Sequence, residues 1–198
     1  MATDSRASMV RSAATLIRSR GASATSLSDV LADSGAPRGS IYHHFPEGKR
    51  QLTQDAIRWT SERLLAHLRA GTPSSPSDVL ERFIDMWRRT VVASGGTAGC
   101  VVAGVAIDTV PDETALIELV RATFRSWAAV LAEQLEAAGV PSRRATPIAM
   151  ATLAGMEGAL ILCRAEGNVK PLDAVAEELM RLLPAETSGR RKRPVHSR

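Results

Sequence analysis

Apolar residues recur along this chain every three or four positions, the period of a helix that buries one face. Met9, Val10, Ala13, Leu16 and Ile17 share one side of a first segment, while Arg11 and Arg18 fall on others and Gly21 ends it. The spacing predicts an amphipathic helix of about four turns. Ser26, with Asp29 three residues on, has the form of a capping box, and Leu27, Val30 and Leu31 give the helix behind it a narrow apolar face. Ser34-Gly35-Ala36-Pro37 breaks that helix. Pro37 suits the first turn of a third short helix reaching to about His44, because its φ is preset and its missing N–H would have had no partner there. Phe45-Pro46-Glu47-Gly48 is the next interruption.

Longer periodic stretches follow. Over 49–70, Leu52, Ala56, Trp59, Arg63 and Ala66 lie along one side, and Leu64, Leu65 and Leu68 widen it. After a Gly, Pro and Ser-rich break, Ser75 as cap and Pro76 at the first helical position restart a helix to about Ala93 that buries Val79, Leu80, Phe83, Met86 and Trp87. The run 100–110 is apolar nearly all round. Its length fits a strand or a buried helix, and with no partner strand in the pattern it is read as a helix. Residues 112–138 form one long helix with Leu116, Val120, Phe124, Trp127, Leu131 and Leu135 on a face, closed by Gly139 and Pro141. Two more helices are expected, over about 147–165, with Ser142 as an alternative start, and over 171–183.

The fold class is all-α, with about nine helices. The reading divides the chain into a three-helix unit over 1–48, with a helix-turn-helix motif at 26–45, and a helical body over 49–184 whose first helix connects the two. A disordered basic tail, 185–198, is expected to follow. With 44% hydrophobic residues among 198, the chain can bury a core. No run of 18 uninterrupted apolar residues and no secretion signal is present, so neither a membrane span nor export is expected. Two cysteines, Cys100 and Cys163, make no disulfide framework and fit a reducing cytoplasm.

Charge is unevenly spread. Residues 1–50 carry seven bases against four acids, residues 51–188 thirteen against seventeen, and the last ten residues five bases and no acid. A basic start and a basic end around an acidic body fit a polyanionic partner, although a solvated tail explains the last run equally well.

The three short helices carry the functional signal. Two short helices joined by a glycine turn and braced by a preceding helix make a helix-turn-helix. In the second of the pair Ile41 and Phe45 point inward, four residues apart, while Arg38, Gly39, Ser40, Tyr42, His43 and His44 remain for the other side. A major-groove helix needs this division. Arg38 can reach guanine or a phosphate, Ser40 and Tyr42 can donate to phosphates, His43 can touch a base edge, and Gly39 permits close approach. Lys49 and the free N–H groups of its helix both favour a phosphate, and Ser26 can reach the opposite strand. An ordinary three-helix bundle with a wet polar face is the competing reading.

The segment TSLSDVLADSGAPRGSIYHHFPEGKRQL, residues 25–52, resembles the DNA-binding signature of the TetR family of transcriptional repressors. Pro37 stands where a Ser or Thr often caps the recognition helix, and Gly48 where many members have Ser or Asn. The remainder is similar, more weakly, to the drug-responsive branch that includes the lincomycin-resistance repressor, through Gly99-Cys100, the stretch from Gly155 to Leu160, and Arg164-Ala165. The resemblance implies a homodimer on palindromic double-stranded operator DNA and a C-terminal domain that holds an effector.

In that body Trp59, Phe83, Met86, Trp87, Cys100, Phe124, Trp127, Leu153, Met156 and Cys163 are expected to line one cavity for a hydrophobic or aromatic small molecule; simple core packing is the alternative. Glu157, in an otherwise apolar stretch, needs a partner: Arg164, an effector or a second subunit. Ala149, Ala151, Ala154, Gly155, Gly158 and Ala159, with Leu172, Val175, Leu179, Leu182 and Leu183 of the last helix, predict a dimer interface of four helices. No spacing of His, Cys or acids suggests a metal, no cofactor is implied, and nothing demands catalysis. The function expected is a ligand-responsive repressor. An effector-independent DNA-binding protein and an all-α small-molecule-binding protein are the alternatives.

Overall fold

In a computed structural model, which describes residues 5–109 and 113–184, the chain forms nine helices and no strand among those residues. They are α1 (Ser5–Arg20), α2 (Leu27–Ser34), α3 (Ser40–His44), α4 (Lys49–Arg69), α5 (Pro76–Ala93), α6 (Val101–Asp108), α7 (Thr114–Ala137), α8 (Ser142–Glu166) and α9 (Lys170–Arg181). The expected tail at 185–198 lies outside the described residues.

Local chemistry explains most boundaries. The Ser26 hydroxyl accepts from the Asp29 N–H at 3.1 Å, and the Asp29 carboxylate accepts from the Ser26 N–H at 2.9 Å, a complete capping box. Gly35 ends α2 in the left-handed conformation at φ 68°, its N–H returning to the Leu31 carbonyl. Ser75 caps α5 through the Asp78 N–H, with Pro76 opening the helix. Gly167 closes α8 at φ 67°.

Three expectations shift. α3 starts at Ser40, three residues after Pro37, because Pro37–Gly39 form a turn whose Pro37 carbonyl accepts the Ser40 N–H at 2.9 Å. Arg38 and Gly39 therefore precede the helix instead of riding on it. α8 begins at Ser142, and Pro147 sits exposed within its second turn, where the missing N–H costs one hydrogen bond near a helix end. α8 is also apolar and long enough to cross a membrane by length and composition. Thr152, Gly155 and Glu157 break its apolar run, yet its mean hydropathy stays high. Its Ile148, Leu153, Met156 and Leu160 are buried in the core, and the helix packs against α7 and α9.

One continuous apolar cluster runs from Met9 to Leu179. α1 braces α2 and α3 and also packs on α4 and α6, while α4 packs on α7. The α1–α2 turn is tied down at Ser23. Its N–H donates to Asp108 of α6 at 2.9 Å, and its carbonyl accepts from the Lys49 ammonium of α4 at 3.1 Å. Gly21, at φ 90°, leaves room for that carboxylate: a Cβ there would lie 2.8 Å from the Asp108 Oδ2.

Candidate functional site

α3 presents two sides of opposite character. Ile41 and Phe45 are 1% and 0% exposed, and Tyr42 is 68% exposed. Phe45 is covered by the Arg6 guanidinium, 5.5 Å from its ring centre, and Arg6 pairs with Asp55 of α4 at 2.6 Å. The helix is thus anchored from both α1 and α4. Arg38, Gly39, Tyr42 and His43 are exposed together, with Ser40 and His44 half-buried beside them. The His43 and His44 rings meet edge to face at 5.1 Å.

Several of these groups are already engaged. The Ser40 hydroxyl donates to the Pro37 carbonyl at 2.6 Å, so in this rotamer its proton is not available to a phosphate. The Ser26 hydroxyl donates to Asp29 at 2.6 Å and serves the cap. Lys49 spends one of its three donors on Ser23. Gly39 has an ordinary φ of −71°, and a Cβ added there meets nothing within 4 Å. Neither backbone geometry nor internal packing requires a glycine at that position. Gly48 opens α4 without a side-chain cap, leaving the first N–H groups of that helix free of a capping side chain.

The ten residues expected around one cavity do not gather. Trp59, Met86 and Trp87 line a cavity of about 300 Å³ between α1, α4 and α5. Cys100 and Glu157 line a second of about 160 Å³, bordered by α1, α6 and α8. Phe83, Trp127, Leu153, Met156 and Cys163 are buried in the packed core, and Phe124 stacks edge-on against Trp127. The Trp127 indole N–H donates to Ser61 at 3.0 Å, so that ring has its partner within the chain. An aromatic stripe reports a buried face; which helix lies opposite decides whether a cavity remains.

Arg18 borders both cavities, and sequence reasoning missed it as a site residue. The available signal was Ala14, four residues earlier on the same side. Burial lowers its pKa, with the nearby Arg63 charge adding to the effect, and its Nε is enclosed without a partner. Glu157 takes the Cys100 thiol as a partner, yet its Oε1 remains unpaired, and desolvation raises its pKa to about 7. Arg164 instead donates to the Thr97 carbonyl at 3.3 Å and does not pair with Glu157. Burial raises the pKa of both free cysteines, which keeps the thiols protonated and poorly nucleophilic. Among the described residues no cluster of His, Cys or acids could hold a metal.

The small residues of α8 also divide. Ala149 and Ala159 are buried in the core, and a Cβ on Gly155 would meet Val175 at 3.3 Å, so Gly155 admits α9 of the same chain. Leu172 and Leu179 of α9 are buried in that contact rather than offered outward. Pro147, Met150, Ala154, Gly158, Ile161 and Leu162 remain exposed, an apolar stripe without a charge.

A helix-turn-helix unit whose exposed face is polar and cationic, set on an acidic helical body, defines a DNA-binding transcriptional regulator. The family described as "Bacterial regulatory proteins, tetR family" matches residues 10–56, and that described as "Transcriptional regulator LmrA/YxaF-like, C-terminal domain" matches residues 76–178. The chain belongs to the TetR family of bacterial transcriptional regulators, with an LmrA/YxaF-like C-terminal domain. It is 37% identical over 183 residues to the HTH-type transcriptional regulator Rv0196 of Mycobacterium tuberculosis, covering 90% of this chain and 93% of the relative. It is 28% identical over 173 residues to the HTH-type transcriptional regulator LmrA of Bacillus subtilis, covering 85% and 91%. Among solved structures, a TetR regulator from Legionella pneumophila has a TM-score of 0.82 at 21% identity, covering 92% of this chain and 98% of its own. The family regulator CifR, solved as a cysteine mutant with 26 bp operator DNA, has a TM-score of 0.75 at 16% identity, covering 93% and 98%. Family and relatives are regulators, not enzymes.

Proposed function

We propose that the chain is a cytoplasmic, homodimeric repressor that a hydrophobic small molecule releases from a palindromic operator. Residues 1–48 are the DNA-binding unit and 49–184 the effector and dimerisation unit. The observation that carries the reading is the two-sided α3, with Ile41 and Phe45 fully buried and Tyr42 freely exposed. Arg38, Tyr42 and His43 face the major groove, and Gly39 allows the backbone to come close. Ser26, Ser40 and Lys49 flank them at the phosphates, where Lys49 has two donors left and Ser40 must rotate off Pro37 to donate. One such helix makes few base contacts, whereas two held about 34–36 Å apart read a palindrome. The exposed stripe of α8 is where a second copy docks. That CifR, sharing this fold, was solved on operator DNA supports the same use here.

The effector acts by favouring a spacing of the two recognition helices that no longer fits adjacent grooves. Its differential affinity for the two spacings, ordinarily about 1–3 kcal/mol, sets the response. Trp59, Met86, Trp87, Cys100 and Glu157 are the effector-site candidates that border a cavity. Arg38→Ala and Tyr42→Phe should each weaken operator binding about tenfold or more in a mobility-shift titration, with dimer and melting temperature unchanged. Affinity equal to wild type in both variants rules out α3 as the reading helix.

A further inference from the structure

The cavity between α1, α4 and α5 is cationic. Arg18, Arg63 and His67 line it, together with Trp59, Met86 and Trp87, and among the described residues no aspartate or glutamate does. Arg18 accounts for most of its character. The guanidinium is largely buried, sits near the second cation Arg63, and makes no hydrogen bond or ion pair among the described residues. Such a group is costly to bury without an anion beside it. Trp87 is 3% exposed, and its indole N–H also lacks an acceptor. Arg63, itself exposed, lies over the Trp59 ring at 5.0 Å and covers the edge of the space. His67 is held by the Arg82 carbonyl at 3.2 Å. The neighbouring cavity shares Arg18 and adds Arg164, but it also carries the acid Glu157 on an otherwise apolar wall.

We propose that the α1–α4–α5 cavity binds an organic anion, an apolar or aromatic body bearing a carboxylate or comparable acidic group, seated on Arg18 and covered by Arg63. The aromatic body lies among Trp59, Met86 and Trp87, and its acceptors meet donors left unpaired among the described residues. This deepens the ligand-responsive reading and rests on it for its regulatory meaning. A molecule bound here touches α1, the helix that braces the recognition unit, without passing through α4 alone.

The test uses the full chain and three probes of one shape: naphthoate, naphthamide and naphthylmethylammonium, followed by calorimetry. Naphthoate should bind about tenfold or more tighter than the neutral amide, and the cation weakest. Arg18→Met should bring the preference to about threefold or less, and Arg18→Lys should retain it at reduced affinity. The assignment is overturned by equal binding of anion and amide, by no binding of any probe, or by a preference that survives Arg18→Met. Operator affinity measured on the same samples separates the two ideas. An anion preference with no change in operator affinity removes the ligand-responsive reading and leaves the cavity assignment. Charge-blind binding that still releases the operator does the reverse.

Discussion

At Glu157, desolvation outweighs the hydrogen bond from the Cys100 thiol, and the carboxyl pKa rises from its ordinary 4.5 to about 7. The folded chain therefore holds this proton more tightly than the unfolded chain. The resulting stability is present below the unfolded value of 4.5 and is lost as pH rises toward 7, after which the penalty is constant. The shift corresponds to about 3 kcal/mol. Glu157→Gln should be more stable than wild type at pH 8 by up to about that amount and nearly equal to it at pH 4.5. Urea denaturation at the two pH values checks this, and parallel profiles for the two proteins would show that folding does not shift the Glu157 carboxyl. Arg18 is the complementary case. Burial opposes its charge, so any anion brought to it offsets that cost.

Single elements show how local rules become a recognition unit. α2 is held at both ends by chemistry readable from four letters, Ser26, Asp29, Gly35 and Pro37. The Gly35 φ of 68° is one that other residues adopt only with strain, whereas Gly39 is unconstrained. Gly35→Ala should lower stability by about 1 kcal/mol, and Gly39→Ala should leave the melting temperature alone while weakening operator binding. Chemical denaturation and a DNA titration on both variants test the contrast. Loss of stability at Gly39 would place that glycine's role inside the protein. These elements were legible because caps, breakers and periodicity are encoded within a few residues. The start of α3 was not, since Pro37 fits a turn as well as a first helical turn. The candidate cavity was less legible still. Trp59 and Trp87 share a cavity and Trp127 does not, yet all three sit at equivalent helical spacings, and only the helix placed opposite distinguishes them.

For the whole molecule, the outer stripe of α8 makes a specific demand. Between Pro147 and Leu162 every exposed residue of this helix is apolar or small, with Ile161 at 59% and Met150 at 52% exposure. A contiguous apolar face of this kind marks an interface. In the proposed dimer, Ile161→Glu places a carboxylate on that face in each copy and should weaken dimerisation about a hundredfold, with helical content preserved. Sedimentation at about micromolar concentration reads the outcome, and operator affinity should fall with the dimer. A variant that stays dimeric would locate the subunit contact elsewhere on the chain.

Ser23 is a single exposed residue of the α1–α2 turn whose two main-chain bonds lead to different levers. Its N–H goes to Asp108 at the end of α6, and its carbonyl goes to Lys49 at the start of α4. If α4 slides while α6 stays, or the reverse, one of the two bonds stretches first. The turn thereby behaves like a coupling pin: it transmits motion when both helices travel in concert and yields when they diverge. A motion that carries both helices together keeps the two bonds, and one that parts them gives up one of the two.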